Sequence, residues 1–407
     1  MTMTRRAALM AALAGSLMIG APAGAQDGPL KIGAVNPYSG PFAQYGDETT
    51  RGYELAAKQV NAQGGVLGRQ VEIVRGSATT AQEGLSVVEQ LVGRDKVDAL
   101  IGTYISSISN SASETALNYG KLYWETNALA MSLTERALPN YARSGPSAVT
   151  FAERSVQGVT ELLSKVVGKA PGEMKVWLEH EDSAYGTSIA EAQKELLEEA
   201  GVSVQIGAHS FKAIDLTDSI LRAKADAPDV WINTGYVIDT NLLLRTAQEQ
   251  GFTPPVMMTV GTGDTSETLE ALGQDYLEGV LVVSYPRADI SETYGPGSDA
   301  FLDLYRSEYN RDPIAPQGMN AYFGAMLLFE AIEAAGSTEF EAVMTAAKAI
   351  DRPEGSSLTG YGVMFDDTMQ NVRALPVIAQ WQGGQMKAVF PTSAVADGVA
   401  LVNLPRQ

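Results

Sequence analysis

Cysteine is absent from the 407-residue chain, and histidine occurs twice, as His180 and His209. Disulfides, thiolate zinc sites, iron–sulfur clusters and cysteine nucleophiles are thereby excluded, and neither a metal site nor a cofactor is expected. Positive charge is scarce, with 29 Lys and Arg against 48 Asp and Glu for a net −19. That sign repels phosphate backbones, so no nucleic-acid partner is expected, and a scattered negative surface serves solubility. Enzyme signatures are missing too: no G-x-S-x-G elbow, no Walker A loop and no H-E-x-x-H. Gly261-Thr262-Gly263-Asp264-Thr265-Ser266 lacks the third glycine of a dinucleotide fingerprint. His180 stands near Glu179, Glu181 and Asp182, where it could serve as a base, but a lone histidine at a strand end reads as structural. Asp366-Asp367 reads as a solvated turn. The chain is not expected to be an enzyme.

What is present is an ordinary globular balance, 45% hydrophobic and 19% charged, long enough for two or three folding units. The first 25 residues differ from the rest. Arg5 and Arg6 precede an uncharged apolar run over 7–21, and Ala23-Gly24-Ala25 is a small-x-small cleavage pattern. This predicts a signal peptide over 1–25, cleaved after Ala25, and a mature protein in the periplasm. Thr4-Arg5-Arg6 also admits twin-arginine export. No cysteine follows to carry a lipid anchor, and no later apolar stretch is long enough to span a bilayer.

From Leu30 onward, short apolar runs alternate with segments of helical period. Strands are predicted over 31–35, 70–74, 99–102, 122–125, 175–180, 202–206, 230–233, 256–260 and 280–285. Helices are predicted over 48–61, 81–92, 107–119, 155–167, 188–200, 239–249, 297–309 and 320–335. Such alternation makes parallel sheets from βαβ units, an α/β class. The pattern breaks over 142–154 and restarts at 175, which predicts two lobes. Strand-like runs over 374–380 and 386–390 flank Gly383-Gly384, as in an antiparallel hairpin.

In open parallel sheets ligands bind beyond the carboxyl ends of the strands. The loop after 99–102 reads Thr103-Tyr104-Ile105-Ser106-Ser107-Ile108-Ser109-Asn110 and enters a helix. Its hydroxyls and free N–H groups could hold a carboxylate, or its serines could simply cap the helix. Tyr45, Tyr185 and Tyr236 each follow a strand end in a glycine-containing loop. A tyrosine offers an apolar wall and a hydroxyl, which suits a small amphipathic ligand.

The segments Lys31-Ile32-Gly33-Ala34-Val35, Ser39-Gly40-Pro41, Ala43-Gln44-Tyr45-Gly46, Arg51-Gly52 and 60–69 (VNAQGGVLGR) resemble the N-terminal signature of the leucine/isoleucine/valine-binding proteins. These are type I periplasmic solute-binding proteins of ABC importers. Ile101-Gly102 with Ser106-Ser107, Tyr185-Gly186, Gly235-Tyr236 and Glu278-Gly279 follow in the matching order, so the resemblance covers nearly the whole chain after the leader. It implies two Rossmann-like lobes with parallel sheets joined by three hinge strands, lobe 1 over 26–149 and 286–360 and lobe 2 over 150–285 and 361–407. It also implies lobes that close on a ligand, ABC permease subunits as partners, and a monomer. At matching positions Ser106 and the backbone near Ser107 would hold the ligand carboxylate, Tyr45 and Tyr236 would wall the pocket, and Tyr185 would reach in from the opposite lobe.

The sequence departs from that pattern after the fourth strand. Amino-acid-binding members have small residues and a threonine there, and this chain has Asn127-Ala128-Leu129. Within 259–264, Asp264 is the candidate acid for a ligand ammonium. Tyr104 and Trp124 near the cleft leave aromatic acids, amides or urea open beside a branched-chain amino acid. Two further classes stand as alternatives: a ligand sensor built on the same lobes, against which the lack of an output domain counts, and a secreted hydrolase, against which the missing nucleophile motifs count.

Overall fold

The computed structural model describes residues 28–406; the leader expected over 1–25 lies outside the described residues. Two sheets organise the chain. The first contains β1 (Leu30–Asn36), β2 (Val71–Ser77), β3 (Ala99–Gly102), β4 (Tyr123–Glu125) and β5 (Tyr141–Arg143), all parallel, in the order β2-β1-β3-β4-β5. The second contains β6 (Lys175–Glu181), β7 (Ser203–His209), β8 (Val230–Thr234), β9 (Val256–Val260), β10 (Leu281–Ser284), β11 (Val377–Gln382) and β12 (Gln385–Phe390). Its order is β12-β11-β10-β9-β8-β6-β7, parallel except for the antiparallel β11 and β12. Numbered from its own first strand, the parallel part of each sheet runs 2-1-3-4-5. The lobes therefore repeat one topology, and each has a switch point, between β1 and β3 and between β6 and β8, where the carboxyl ends open a crevice.

Composition explains strand position. β8 (VWINT) and β9 (VMMTV) are buried at every residue, as central parallel strands covered on both faces must be. The edge strands β2 and β7 expose several of theirs. β5 was not among the predicted strands, because only three residues pair and one is Arg143. Gly383 and Gly384, at φ +58 and +77, make the tight turn between β11 and β12.

In the first lobe the helices Ala43–Ala62 and Gln317–Ala335 cross closely. A Cβ on Gly52 would lie 2.2 Å from the Gly318 carbonyl oxygen, so the crossing requires glycine at that point. The Arg51-Gly52 pair of the sequence signature thus marks a helix contact rather than a ligand contact.

Three passages of chain join the lobes. The first is 144–147, since the next helix, Ala148–Gln157, already packs on the second-lobe helix Ala184–Glu199. The second leaves β10 at Tyr285 and reaches the helix Ser298–Tyr309, whose Phe301 and Tyr305 belong to the first lobe's core. The third falls between Ala374 and Val377. Tyr361, Val363, Phe365, Met369 and Ala374 all pack in the first core, and Gln370 bridges to Arg143 alongside β5. Packing therefore corrects the sequence-based division at 360/361, because 361–374 extends the first lobe.

Candidate functional site

The carboxyl ends of the two sheets face each other across the gap between the lobes, and each loop there is shaped by its own hydrogen bonds. After β4, the Glu125 carboxylate turns back into the loop and accepts the backbone N–H groups of Thr103, Thr126, Asn127 and Ala128 on Oε1, at 2.6 to 3.0 Å. Ser109 donates its hydroxyl to Oε2. Burial pushes the Glu125 carboxyl above its ordinary range, and these donors pull against that. From β5 the buried Arg143 guanidinium donates to the carbonyls of Ala128 (3.1 Å) and Ala130 (2.9 Å). An acid and a base, neither facing the gap, thus fix the run 127–130.

That fixed run presents its other groups to the gap. Asn127 donates to Thr49 Oγ1 and accepts from Asn320 on its side chain, while its backbone carbonyl accepts the Tyr285 hydroxyl from the end of β10. Ser106 opens the helix Ser106–Asn118, but it does not cap it: the N-cap is Ile105, and no side chain bonds there. Its Oγ instead accepts the Ala130 N–H at 3.3 Å, and among the described residues its own proton has no protein acceptor. Ser107, one residue on, is exposed.

Opposite stand the second-lobe tyrosines. Tyr185, in the first turn of Ala184–Glu199, donates to the Val260 carbonyl at 3.0 Å. Tyr236 precedes the helix Val237–Glu249, and its ring meets Phe42, Tyr104, Tyr185 and Phe211 at centroid distances of 5.0 to 6.2 Å. Tyr45 stacks on Tyr104 at 4.6 Å, its planes 5° apart. Aromatic pairs of this kind add to the burial they make. Burial raises the phenols of Tyr45, Tyr104, Tyr185, Tyr236 and Tyr285, so at neutral pH all are uncharged hydroxyls.

At the centre is a cavity of about 10 Å³ lined by Tyr104, Asn127, Leu129, Tyr185, Tyr236, Gly261 and Tyr285. That is room for about one water. A solute the size of an amino acid enters only when the lobes move apart. Five of the nine residues chosen from the sequence line this cavity, Tyr104, Asn127, Leu129, Tyr185 and Tyr236. Tyr45 stacks on Tyr104, and Ser106, outside that lining, braces the loop through the Ala130 N–H. Asp264 is placed differently: buried beside the cleft, it accepts from Ser284 at 2.6 Å, and its carboxylate lies 3.6 Å from the Arg287 guanidinium. Among the described residues its second oxygen has no hydrogen-bond partner. A wider groove of about 360 Å³ runs along the hinge side between Asp264, Arg287, Ile314 and Trp381.

Two lining residues were missed. Tyr285 follows the strand end of β10 just as Tyr185 and Tyr236 follow theirs, so the signal was in the sequence. Gly261 needed the structure: it has φ +79, and a Cβ there would lie 2.1 Å from the Tyr185 hydroxyl. Gly261→Ala is therefore expected to displace that hydroxyl from Val260 and weaken solute binding about tenfold, the worth of one hydrogen bond. Calorimetric titration of the variant with a solute that binds the wild type checks this; equal affinities would refute it.

The chain matches the family model described as periplasmic binding protein over residues 29–385. The Leu/Ile/Val-binding protein homolog 7 of Brucella suis is 31% identical over 395 residues, covering 97% of this chain and 98% of that protein. Among solved structures, the branched-chain amino acid transporter substrate-binding protein LivJ of Streptococcus pneumoniae, in complex with isoleucine, superposes with TM-score 0.75 at 22% identity, over 89% of this chain and 100% of that one. A solute-binding protein of an ABC transporter from Rhodopseudomonas palustris, in complex with 3,4-dihydroxybenzoic acid, gives TM-score 0.72 at 20% identity, over 91% and 99%. At these identities the structural likeness is one of fold.

Proposed function

This chain belongs to the periplasmic binding protein family, and on that premise we propose that it is the extracytoplasmic receptor of an ABC importer, closing its lobes on a branched-chain or similar amino acid. The observation that carries the reading is the cavity between the two switch points, walled by tyrosines from both lobes. In this reading the leader is removed after Ala25, the lobes swing about the passages at 144–147, 285–297 and 374–377, and the closed monomer is what the permease subunits engage. The solute carboxylate meets the free proton of Ser106. The ammonium meets the unpartnered oxygen of Asp264.

A second ligand reading, an aromatic carboxylate, is favoured by one feature: the cavity lining carries tyrosine rings and no charged side chain. Calorimetric titration with leucine, isoleucine, valine and 3,4-dihydroxybenzoic acid separates the two. Ser106→Ala is expected to cost either ligand roughly ten- to hundredfold in affinity, because a hydrogen bond to a charged group contributes about 1.5 to 3 kcal/mol. Asp264→Asn should weaken the amino acids alone. Wild-type affinity in Ser106→Ala would remove the proposed carboxylate position, and a wild type that binds none of the four would remove the amino-acid and aromatic-acid readings together.

A further inference from the structure

Beneath the cleft, the second lobe buries a charged cluster that takes no part in lining the cavity. His209 ends β7, Glu179 lies in β6, and Asp239 stands in the first turn of Val237–Glu249. His209 Nδ1 is 3.1 Å from Glu179 Oε1, and Nε2 is 3.1 Å from Asp239 Oδ2. The two remaining oxygens are also occupied: Glu179 Oε2 accepts the Trp177 indole N–H at 3.0 Å, and Asp239 Oδ1 accepts the Tyr236 backbone N–H at 3.0 Å. With both acids ionised, their oxygens only accept and both ring nitrogens donate, so the arrangement is an imidazolium between two carboxylates.

The backbone makes room for it. A Cβ on Gly207 would lie 2.5 Å from Glu179 Oε2, and one on Gly235 would lie 2.0 Å from Asp239 Oδ2. Around the trio, Glu181 at the end of β6 acts on Asp239. From the helix Thr217–Asp226, Ser219 approaches Glu179 and accepts from Arg222 at 3.3 Å. The last link leads outward, because Tyr236, whose N–H Asp239 holds, is a second-lobe residue whose ring meets rings of both lobes in the cleft.

We propose that His209 is a positioning residue for the solute cleft: by pinning Asp239 against the start of Val237–Glu249, it holds the Tyr236 ring in the binding cavity. Without the imidazolium, two buried carboxylates repel, Asp239 swings off the helix start, and the first turn that carries Tyr236 loosens. The inference rests on the cleft being the solute site.

A double-mutant cycle tests it, with leucine and 3,4-dihydroxybenzoic acid as the titrants. His209→Gln should lower the affinity of whichever binds by about tenfold in the wild-type background and by nothing further in Tyr236→Ala, since its effect passes through that ring. Equal losses in both backgrounds would overturn the proposal by showing a general structural role. If neither titrant binds the wild type, the ligand readings fail, and amide exchange judges the positioning by itself. His209→Gln should speed exchange at Tyr236 about tenfold or more relative to Leu243 and Leu244 of the same helix, and a uniform change would overturn the proposal. Should His209→Gln not fold, the wild type answers: as pH rises, the Tyr236 amide resonance should move with the midpoint of the His209 ring signal, and a Tyr236 resonance that stays still overturns the idea.

Discussion

Glu125→Ala is expected to destabilise the folded chain by on the order of 5 kcal/mol, because it strips the acceptor from the backbone N–H groups of Thr103, Asn127 and Ala128 at once and leaves Thr126 only the Gly102 carbonyl at 2.9 Å. Thr103, Thr126, Asn127 and Ala128 all donate to one Glu125 oxygen, and the side chain has no exposed surface. An unsatisfied buried donor costs about 1 to 3 kcal/mol, and water entering the space left by the side chain recovers only part of it. Against a total stability of about 5 to 15 kcal/mol, the variant sits near the edge of unfolding. Glu125→Gln is the control. It keeps one carbonyl oxygen for the four amides, and the Ser109 hydroxyl can rotate to accept from the new NH₂, so a loss of about 1 kcal/mol is expected. Urea denaturation of the three proteins measures both differences. If Glu125→Ala unfolds within about 1 kcal/mol of the wild type, the amides have other acceptors and the loop is not held as described.

Glu125 also shows where the sequence stops being informative. The central strands were legible because burial on both faces demands unbroken apolar runs, and β8 and β9 have them. β5 was hidden by Arg143, whose charge looks like a surface residue until the Ala128 and Ala130 carbonyls and Gln370 are seen to enclose it. The helix Ala148–Gln157 fell inside what read as a break between lobes, because Gly145-Pro146 is strong turn punctuation. The reciprocal bonds of Ser147 and Thr150 that start it are a local signal that could have been read. In the site, tyrosines beyond strand ends could be found one loop at a time. Asp264 could not be placed that way, since only the fold brings Arg287 and Ser284 to it. The same holds for His209, which lies 30 residues from each of its two carboxylates and meets them only through the parallel register of β6 with β7 and β8.

That cluster gives the chain an expected alkaline weakness. Burial alone would lower the His209 imidazolium, but the Asp239 and Glu179 carboxylates outweigh it and raise its pKa to about 9, against an ordinary value near 6.5. A group whose pKa is raised on folding contributes stability that is full below its unfolded value and lost as pH climbs through its folded one. Between about pH 6.5 and 9 the folded chain holds one more proton than the unfolded chain, so stability should fall by about 1.4 kcal/mol per pH unit, about 3 kcal/mol in all. The buried tyrosines are also raised, but they start from 10 and act beyond this window. On the acid side Glu179 is lowered, with burial opposing and His209 and Trp177 prevailing, so its contribution is lost only as pH falls below the ordinary carboxylate range. Urea midpoints taken from pH 6 to 9.5 should trace the decline, and His209→Gln, where it folds, should show a flat profile over the same range. A wild type as stable at pH 9.5 as at pH 6.5 would mean that the histidine carries no extra proton in the folded state, and that the two carboxylates beside it are held apart by something else.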